Sequence, residues 1–419
     1  MLLLLWVAVA AGCLGSGEPR QGSRGACLTL GDSRPVSGRP AAIALLAEVE
    51  AKTGKPSGDL NRLLRISIPD GAVELERRLG PRSEQRDADP GQTLLRLRSG
   101  PLLATAPDRK TVLALTRNPV SGRDSVAVID AQSLQTRCSH PLEPGIRYSG
   151  LRLGRSGMFY AYGARPAGPR RRDAVLTIGD ARTGDLKGSH TLREAVRRDP
   201  AHWGKDWSVY RAALSADERR LFLSYHGGDT TGADLFRISP TLDISATGMA
   251  ERRCANRPPR WPCGPGRTDA PRVHGAVTAV GAGFVGTTGT NDLLELDRGG
   301  HRIRRLRVRE NNSHLMDFAL NDDRRHLYVS ACARRPTIQR FDLERGRLGT
   351  VPSGAVCGRP LAIYGNRFLL LAALRGNKSG YPTTTTEELR LLDLEERGAG
   401  RRVPRSASPV DAVVVRLSR

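Results

Sequence analysis

Apolar positions fall along this chain in short runs broken by compact polar turns, a rhythm that predicts strands rather than helices. The most regular stretch is residues 319–330. It pairs Ala319-Leu320 with Leu327-Tyr328-Val329 across the polar turn Asn321-Asp322-Asp323-Arg324-Arg325. A third segment, residues 337–343, alternates apolar and polar positions and carries Asp342 near its end. The hairpin half recurs at 104–115, 153–161, 213–224, 280–286 and 363–370. The alternating half recurs at 125–130, 174–180, 234–238, 293–297 and 389–393. Asp, Asn, Ser, Pro and Gly supply the tight turns and their side-chain-to-backbone hydrogen bonds, and the apolar runs on either side pack as strands. The Asn321-Asp322-Asp323 cluster therefore reads as a turn and not as a metal site.

Asp130, Asp180, Asp297, Asp342 and Asp393 each close an alternating segment. Their spacing is irregular but near the ~40–50 residues of a propeller blade, the longer intervals containing insertions. Six complete units are counted, at 100–140, 147–192, 206–247, 272–309, 314–351 and 359–404. Residues 410–415 form an isolated apolar run, and residues 41–46 and 63–68 are further strand candidates. The simplest arrangement seals a ring by joining the last strand to an N-terminal blade, which removes open sheet edges. The expectation is an all-β, seven-bladed β-propeller, with six or eight blades as alternatives. Residues 41–52 are rich in Ala, Leu, Glu and Lys and also allow a short amphipathic helix.

Ala106-Pro107-Asp108 followed by Val126-Ala127-Val128-Ile129-Asp130 resembles the repeat of YVTN-type and WD-like β-propellers, a Ser-Pro-Asp-Gly hairpin followed by a strand ending in Asp. The resemblance covers residues 100 to 400. It implies that the loops between second and third strands, and those between blades, gather on one face around a central channel, the default binding surface of the fold. A β-sandwich is the alternative all-β reading.

The N-terminus adds a location. Residues 2–11 are almost purely apolar, too short to span a bilayer, and lead into Ala10-Ala11-Gly12-Cys13. This looks like the lipobox of bacterial lipoprotein signals, which implies lipidation of Cys13; an ordinary cleaved signal peptide is the alternative. The expected division is a signal peptide over 1–12, a flexible tether over 13–26 and one propeller domain over 27–419. Setting Cys13 aside leaves Cys27, Cys138, Cys254, Cys263, Cys332 and Cys357, an even number that suits three disulfides in an oxidising compartment. Chain proximity favours Cys254 with Cys263 and Cys332 with Cys357, which leaves Cys27 with Cys138. No spacing of Cys and His resembles a metal site.

A formal charge of +23 over 419 residues invites a nucleic-acid reading, yet the basic residues are mostly scattered Arg, so no specific nucleic-acid partner is expected. Candidate chemistry sits in the long loops. His202, Trp203 and Trp207 precede the fourth blade, and Tyr225, His226 and Asp229 fall in a segment, 225–232, that reads as a loop. Arg257, Arg260 and Trp261 lie between Cys254 and Cys263, where a closed loop would present rigid Arg and Trp anchors. Residues 302–309 alternate Arg with apolar side chains, as suits an outer strand with one basic face. No G-x-S-x-G elbow, P-loop, dinucleotide fingerprint, HExxH or EF-hand loop is present. No catalytic residue, metal or cofactor is assigned. The expected function is an exported, membrane-tethered, monomeric propeller that binds or scaffolds a protein, peptide or glycan at the bacterial envelope. The alternative is an exported propeller enzyme, a lyase or hydrolase, with its site at the channel mouth.

Overall fold

Short half-apolar segments can bury their faces only by pairing with neighbours and packing sheet against sheet, and the chain does so in seven antiparallel sheets. The computed structural model describes residues 27–28, 38–49, 56–79, 102–117, 123–168, 171–192, 207–227, 230–246, 253–254, 273–288, 292–299, 301–307, 314–321, 323–332, 337–351, 356–374, 387–396, 398, 400–407 and 409–418. The sheets form a ring, a seven-bladed β-propeller.

Blade one is composite. Its first strand is Pro409–Leu417, and Arg39–Val49, Pro56–Ser67 and Val73–Arg78 follow outward. Blades two to seven open on Leu103–Thr105, Arg147–Leu153, Trp207–Leu214, Val273–Val280, His314–Leu320 and Gly358–Tyr364 and run outward in chain order. These first strands lie beside one another around the axis and line the channel. The outermost strands, such as Thr136–Pro141 and Leu186–Thr191, are largely exposed.

The core is the set of gaps between blades. Ala41, Ile43 and Leu45 enter the cluster shared with blades two and three, while Ala42, Ala44 and Leu46 enter the one shared with blade seven. Arg39–Val49 is thus a strand buried on both faces, not a helix, because two cores compete for its alternate side chains and outweigh its helix propensity. In the gap between blades four and five the Phe222 and Phe284 rings lie 5.4 Å apart.

Closure follows the expected seam. Ala41 pairs with Val415, Ile43 with Val413 and Leu45 with Asp411. Both ends of the closing strand also reach blade two. The Arg416 N–H donates to the Arg109 carbonyl (2.9 Å). The buried Asp411 carboxylate accepts from the N–H groups of Leu102 (2.6 Å), Leu103 (2.8 Å) and Ala412 (2.9 Å). On the blade-seven side, Arg359 donates to the Pro409 carbonyl (3.2 Å).

The strand Arg302–Arg307 takes the expected outermost place in its blade, with Ile303 58% exposed and Leu306 buried. A register shift at Glu295/Leu296 breaks the alternation, and Arg304 instead reaches Glu295 and the Leu343 carbonyl of blade six. Segment 225–232, expected as a loop, is mostly strand, as is 163–172. Met158–Gly168 continues into Arg171–Asp180, and Arg220–Gly227 into Thr230–Ile238. Their polar composition does not prevent ladder pairing.

Asp411→Ala would leave the buried Leu102 and Leu103 N–H groups without their acceptor, at a cost of about 2–5 kcal/mol. Urea unfolding should show this loss, with Asp411→Asn retaining most of the stability because its amide oxygen still accepts.

Candidate functional site

The two faces of the ring are built differently. One, the turn face, carries the hairpins joining first to second and third to fourth strands. In blades two, four and six the first hairpin is the same six-residue turn, running from Ala106 to Thr111, from Ser215 to Arg220 and from Asn321 to His326. Its third residue is always Asp, which accepts from the N–H two residues on: Lys110 (2.9 Å), Arg219 (3.1 Å) and Arg325 (2.7 Å). Its fourth residue is left-handed, with φ of 53° at Arg109, 57° at Glu218 and 56° at Arg324. The shorter turn of blade three has Gly157 there, at 87°. A left-handed non-glycine residue costs of order 1 kcal/mol, so the turn itself does not explain the choice of charged side chains.

Asp130, Asp180, Asp297, Asp342 and Asp393 open the turns into the fourth strands. Hydrogen bonds from the Arg182 side chain to Asp180, from the Arg345 N–H to Asp342 and from the Arg367 side chain to Asp393 lower those pKa values. At Asp130 and Asp297 burial acts in the opposite direction, but the Ser133 and His301 N–H groups and their companions outweigh it. Asn321 links blade six to blade seven through Nδ2 to Asn366 Oδ1 (2.6 Å) and accepts from the His326 N–H at 3.0 Å. The tempting acidic cluster is a turn, as its sequence suggests. A cleft of about 550 Å³ between blades one and seven is lined by Pro69, Phe368, Arg367, Asp393 and Arg401, with Arg367 held by Asp393.

The opposite, loop face carries the remaining hairpins and the interblade links. Beneath it, buried carboxylates staple blades together. Asp124, at the start of the third strand of blade two, accepts from the Tyr148 N–H of blade three (2.9 Å), as Asp411 does from blade two. Burial pushes Asp124 up to about 6, against the opposing pull of that N–H and of Arg117 and Arg147. Burial likewise raises Asp411. Neither acid stands out as functional in the sequence, although an Asp inside the apolar run 410–415 was a signal available to read.

Blade four gathers most of the sequence-predicted residues. Trp207 pairs with Gly227, Ser208 with His226 and Val209 with Tyr225; across the next ladder His226 pairs with Thr231 and Tyr225 with Gly232. The outer position of this blade is divided between Ile244–Ala246 and Arg253–Cys254. Cys254 pairs with Thr230, so the Arg- and Trp-bearing segment begins one ladder from Tyr225 and His226. Trp207, Tyr225, His226, Cys254 and Cys332 are described in backbone alone. Cys13, His202, Trp203, Asp229, Arg257, Arg260, Trp261 and Cys263 lie outside the described residues.

Cys27 and Cys138 form a disulfide with Cα atoms 5.9 Å apart. It fixes residues 27–28 against the outer strand of blade two, where Leu28 is buried and the Cys27 N–H donates to the Arg182 carbonyl of blade three (2.9 Å). His140 lies beside it, kept neutral by burial, with Nε2 3.0 Å from the Ala181 carbonyl. The two sulfurs are joined to each other and offer this histidine no thiolate pair for a metal. Cys357 is also disulfide-bonded.

Fold and channel together define a β-propeller. The chain matches no protein-family model and no curated protein. Among solved structures it is similar to a periplasmic gluconolactonase of Pseudomonas aeruginosa, at 15% identity and TM-score 0.52, covering 90% of this chain and 100% of that one. It is also similar to a puromycin hydrolase (16%, TM-score 0.54, 90% and 55% covered) and an acylaminoacyl peptidase (10%, TM-score 0.50, 87% and 50% covered). The chain thus spans about half the length of those two hydrolases. Likeness at this identity shows the fold alone.

Asp124 gives a pH prediction with a definite sign. Its folded pKa lies above the ~3.9 of an unfolded Asp, so the folded state holds its proton more tightly and stability falls as pH rises from about 4 to about 6. Asp124→Asn should therefore gain on the order of 2 kcal/mol at pH 7.5 and almost nothing at pH 4, by urea unfolding at both values. The five turn aspartates act oppositely, and their contribution is lost only as pH falls below about 4.

Proposed function

We propose that this protein is an exported, membrane-tethered β-propeller of the YVTN type that binds or scaffolds a protein, peptide or glycan at the bacterial envelope through its loop face. The observation that carries the reading is the irregularity of blade four. There the four-strand rule is broken by Arg253–Cys254, which starts the Arg- and Trp-bearing segment beside the ladder holding Trp207, Tyr225 and His226. The turn face repeats one motif, and departure from a repeat is where a recognition surface is expected. The Cys27–Cys138 disulfide supports an oxidising compartment, and an apolar leader ending at Cys13 supports a lipid tether.

The second reading is a hydrolase or lyase using His226, Asp229 or His202. Its support is the similarity to a lactonase over the whole of that chain.

Two measurements separate and test these readings. Native mass spectrometry of protein taken from its own membrane is expected to show acyl chains on Cys13 and six cysteines oxidised; an unprocessed leader or six free thiols would sink the location. Purified protein offered gluconolactone is expected to give no turnover above background. If turnover appears and His226→Ala or Asp229→Ala removes it by about 100-fold or more with folding intact, the enzyme reading replaces the binding one. Reduction, or Cys27→Ser with Cys138→Ser, should cost roughly 3–4 kcal/mol in denaturant unfolding, because the bond closes a long loop.

A further inference from the structure

Cys138 and His140 stand two positions apart on the outer strand of blade two, so both side chains leave the same face of that strand. Cys27 meets them there from 111 positions away in the chain. Its N–H donates to the Arg182 carbonyl, which sets the group against the turn of blade three that follows Asp180. The two sulfurs and an imidazole nitrogen of His140 all lie within 4.8 Å of one another. His140 Nε2 is 3.6 Å from Cys138 Sγ and 3.0 Å from the Ala181 carbonyl. Its other ring nitrogen faces Gly184, where a Cβ would stand 2.3 Å from Nδ1. The ring is thus placed from both sides.

A disulfide needs no histidine beside it, whereas a tetrahedral zinc site does. Bonds of about 2.3 Å to sulfur and about 2.0–2.1 Å to nitrogen put those two donor atoms about 3.5 Å apart. The 3.6 Å between Cys138 Sγ and His140 Nε2 matches that separation. His140 is buried, but both cysteines keep partial contact with solvent, which gives a reductant and an ion a way in.

We propose that reduction of the Cys27–Cys138 bond turns this corner into a cation site, with two thiolates and one imidazole, for Zn2+ or a similar thiolate-binding divalent metal. The reductant is a dithiol: its two S–H groups become an S–S bond as Cys27 and Cys138 become thiols. Binding of the cation then releases both thiol protons and moves the ring proton of His140 from Nε2 to Nδ1. The Ala181 carbonyl or a water takes the fourth position. The segment bearing Cys27 is in this way held to blades two and three in either redox state, by a covalent bond or by an ion. The site lies away from the blade-four segment and does not depend on what that segment binds.

The test uses the full chain, reduced anaerobically with a phosphine, with Co2+ as the probe and Zn2+ as its competitor. Expected is one tight Co2+ per chain that shows thiolate-to-metal charge transfer and tetrahedral d–d bands and is displaced by Zn2+. A chain carrying Cys27→Ser and Cys138→Ser lacks the disulfide just as the reduced parent does and keeps every other cysteine; it should bind one ion fewer. The disulfide form of the parent should not take up this ion. His140→Gln keeps a donor for the Ala181 carbonyl, so its disulfide form should fold with little change in Tm, while its reduced form binds Co2+ about tenfold or more weakly. X-ray absorption of the reduced parent at one equivalent of Zn2+ needs no variant, and two sulfurs with at least one imidazole nitrogen around the metal support the site. Equal metal uptake by the reduced parent and the double serine chain overturns the proposal, as does unchanged affinity in His140→Gln or a shell of sulfur alone.

Discussion

The structure depends on one seam. Six blades are local in sequence, each a meander whose strands pair with the next segment of chain, but none is closed against its neighbours until Pro409–Leu417 pairs with Arg39–Val49. That pairing joins residues more than 360 positions apart and converts a row of sheets with two open sides into a ring. The local Asp411 and Arg416 hydrogen bonds make the seam specific. They tie the closing strand to blade two on both faces, so the strand is held by its ladder partner and by the next blade.

Charge in this protein is sorted by face. On the turn face, aspartates accept N–H groups within their own turns and are held in the ionised state. On the loop face, Asp124 and Asp411 are drawn inward to bridge blades, and burial works against their ionisation. The same side chain thus serves as a turn former in one place and an interblade staple in the other. The difference lies in how much water it keeps and whether its donors come from its own turn or from the next blade.

Much of the architecture was legible because a blade is a short-range object. The turn Asn321-Asp322-Asp323-Arg324 and the alternation ending at Asp342 state their own structure, and five similar units repeat it. The apolar run 410–415 also announced a seam, since it had no local partner. Sequence was ambiguous where tertiary burial outvotes composition: Ala and Leu in Arg39–Val49 favour helix, yet alternate residues feed two cores. It was misleading at 225–232, where polar residues and glycines suggested a loop but the hairpin ladder continues.

The composite blade also imposes an order in time. Every channel-lining strand except one is made together with the blade it belongs to, whereas blade one must wait, its second strand made before the other six blades and its first strand after them. Until Pro409–Leu417 emerges, Ala41–Leu46 has an unfilled edge and the axis is open along one side. The wall of the channel is therefore complete only once all seven blades have been made, so a chain cut short anywhere before Pro409 leaves the ring open.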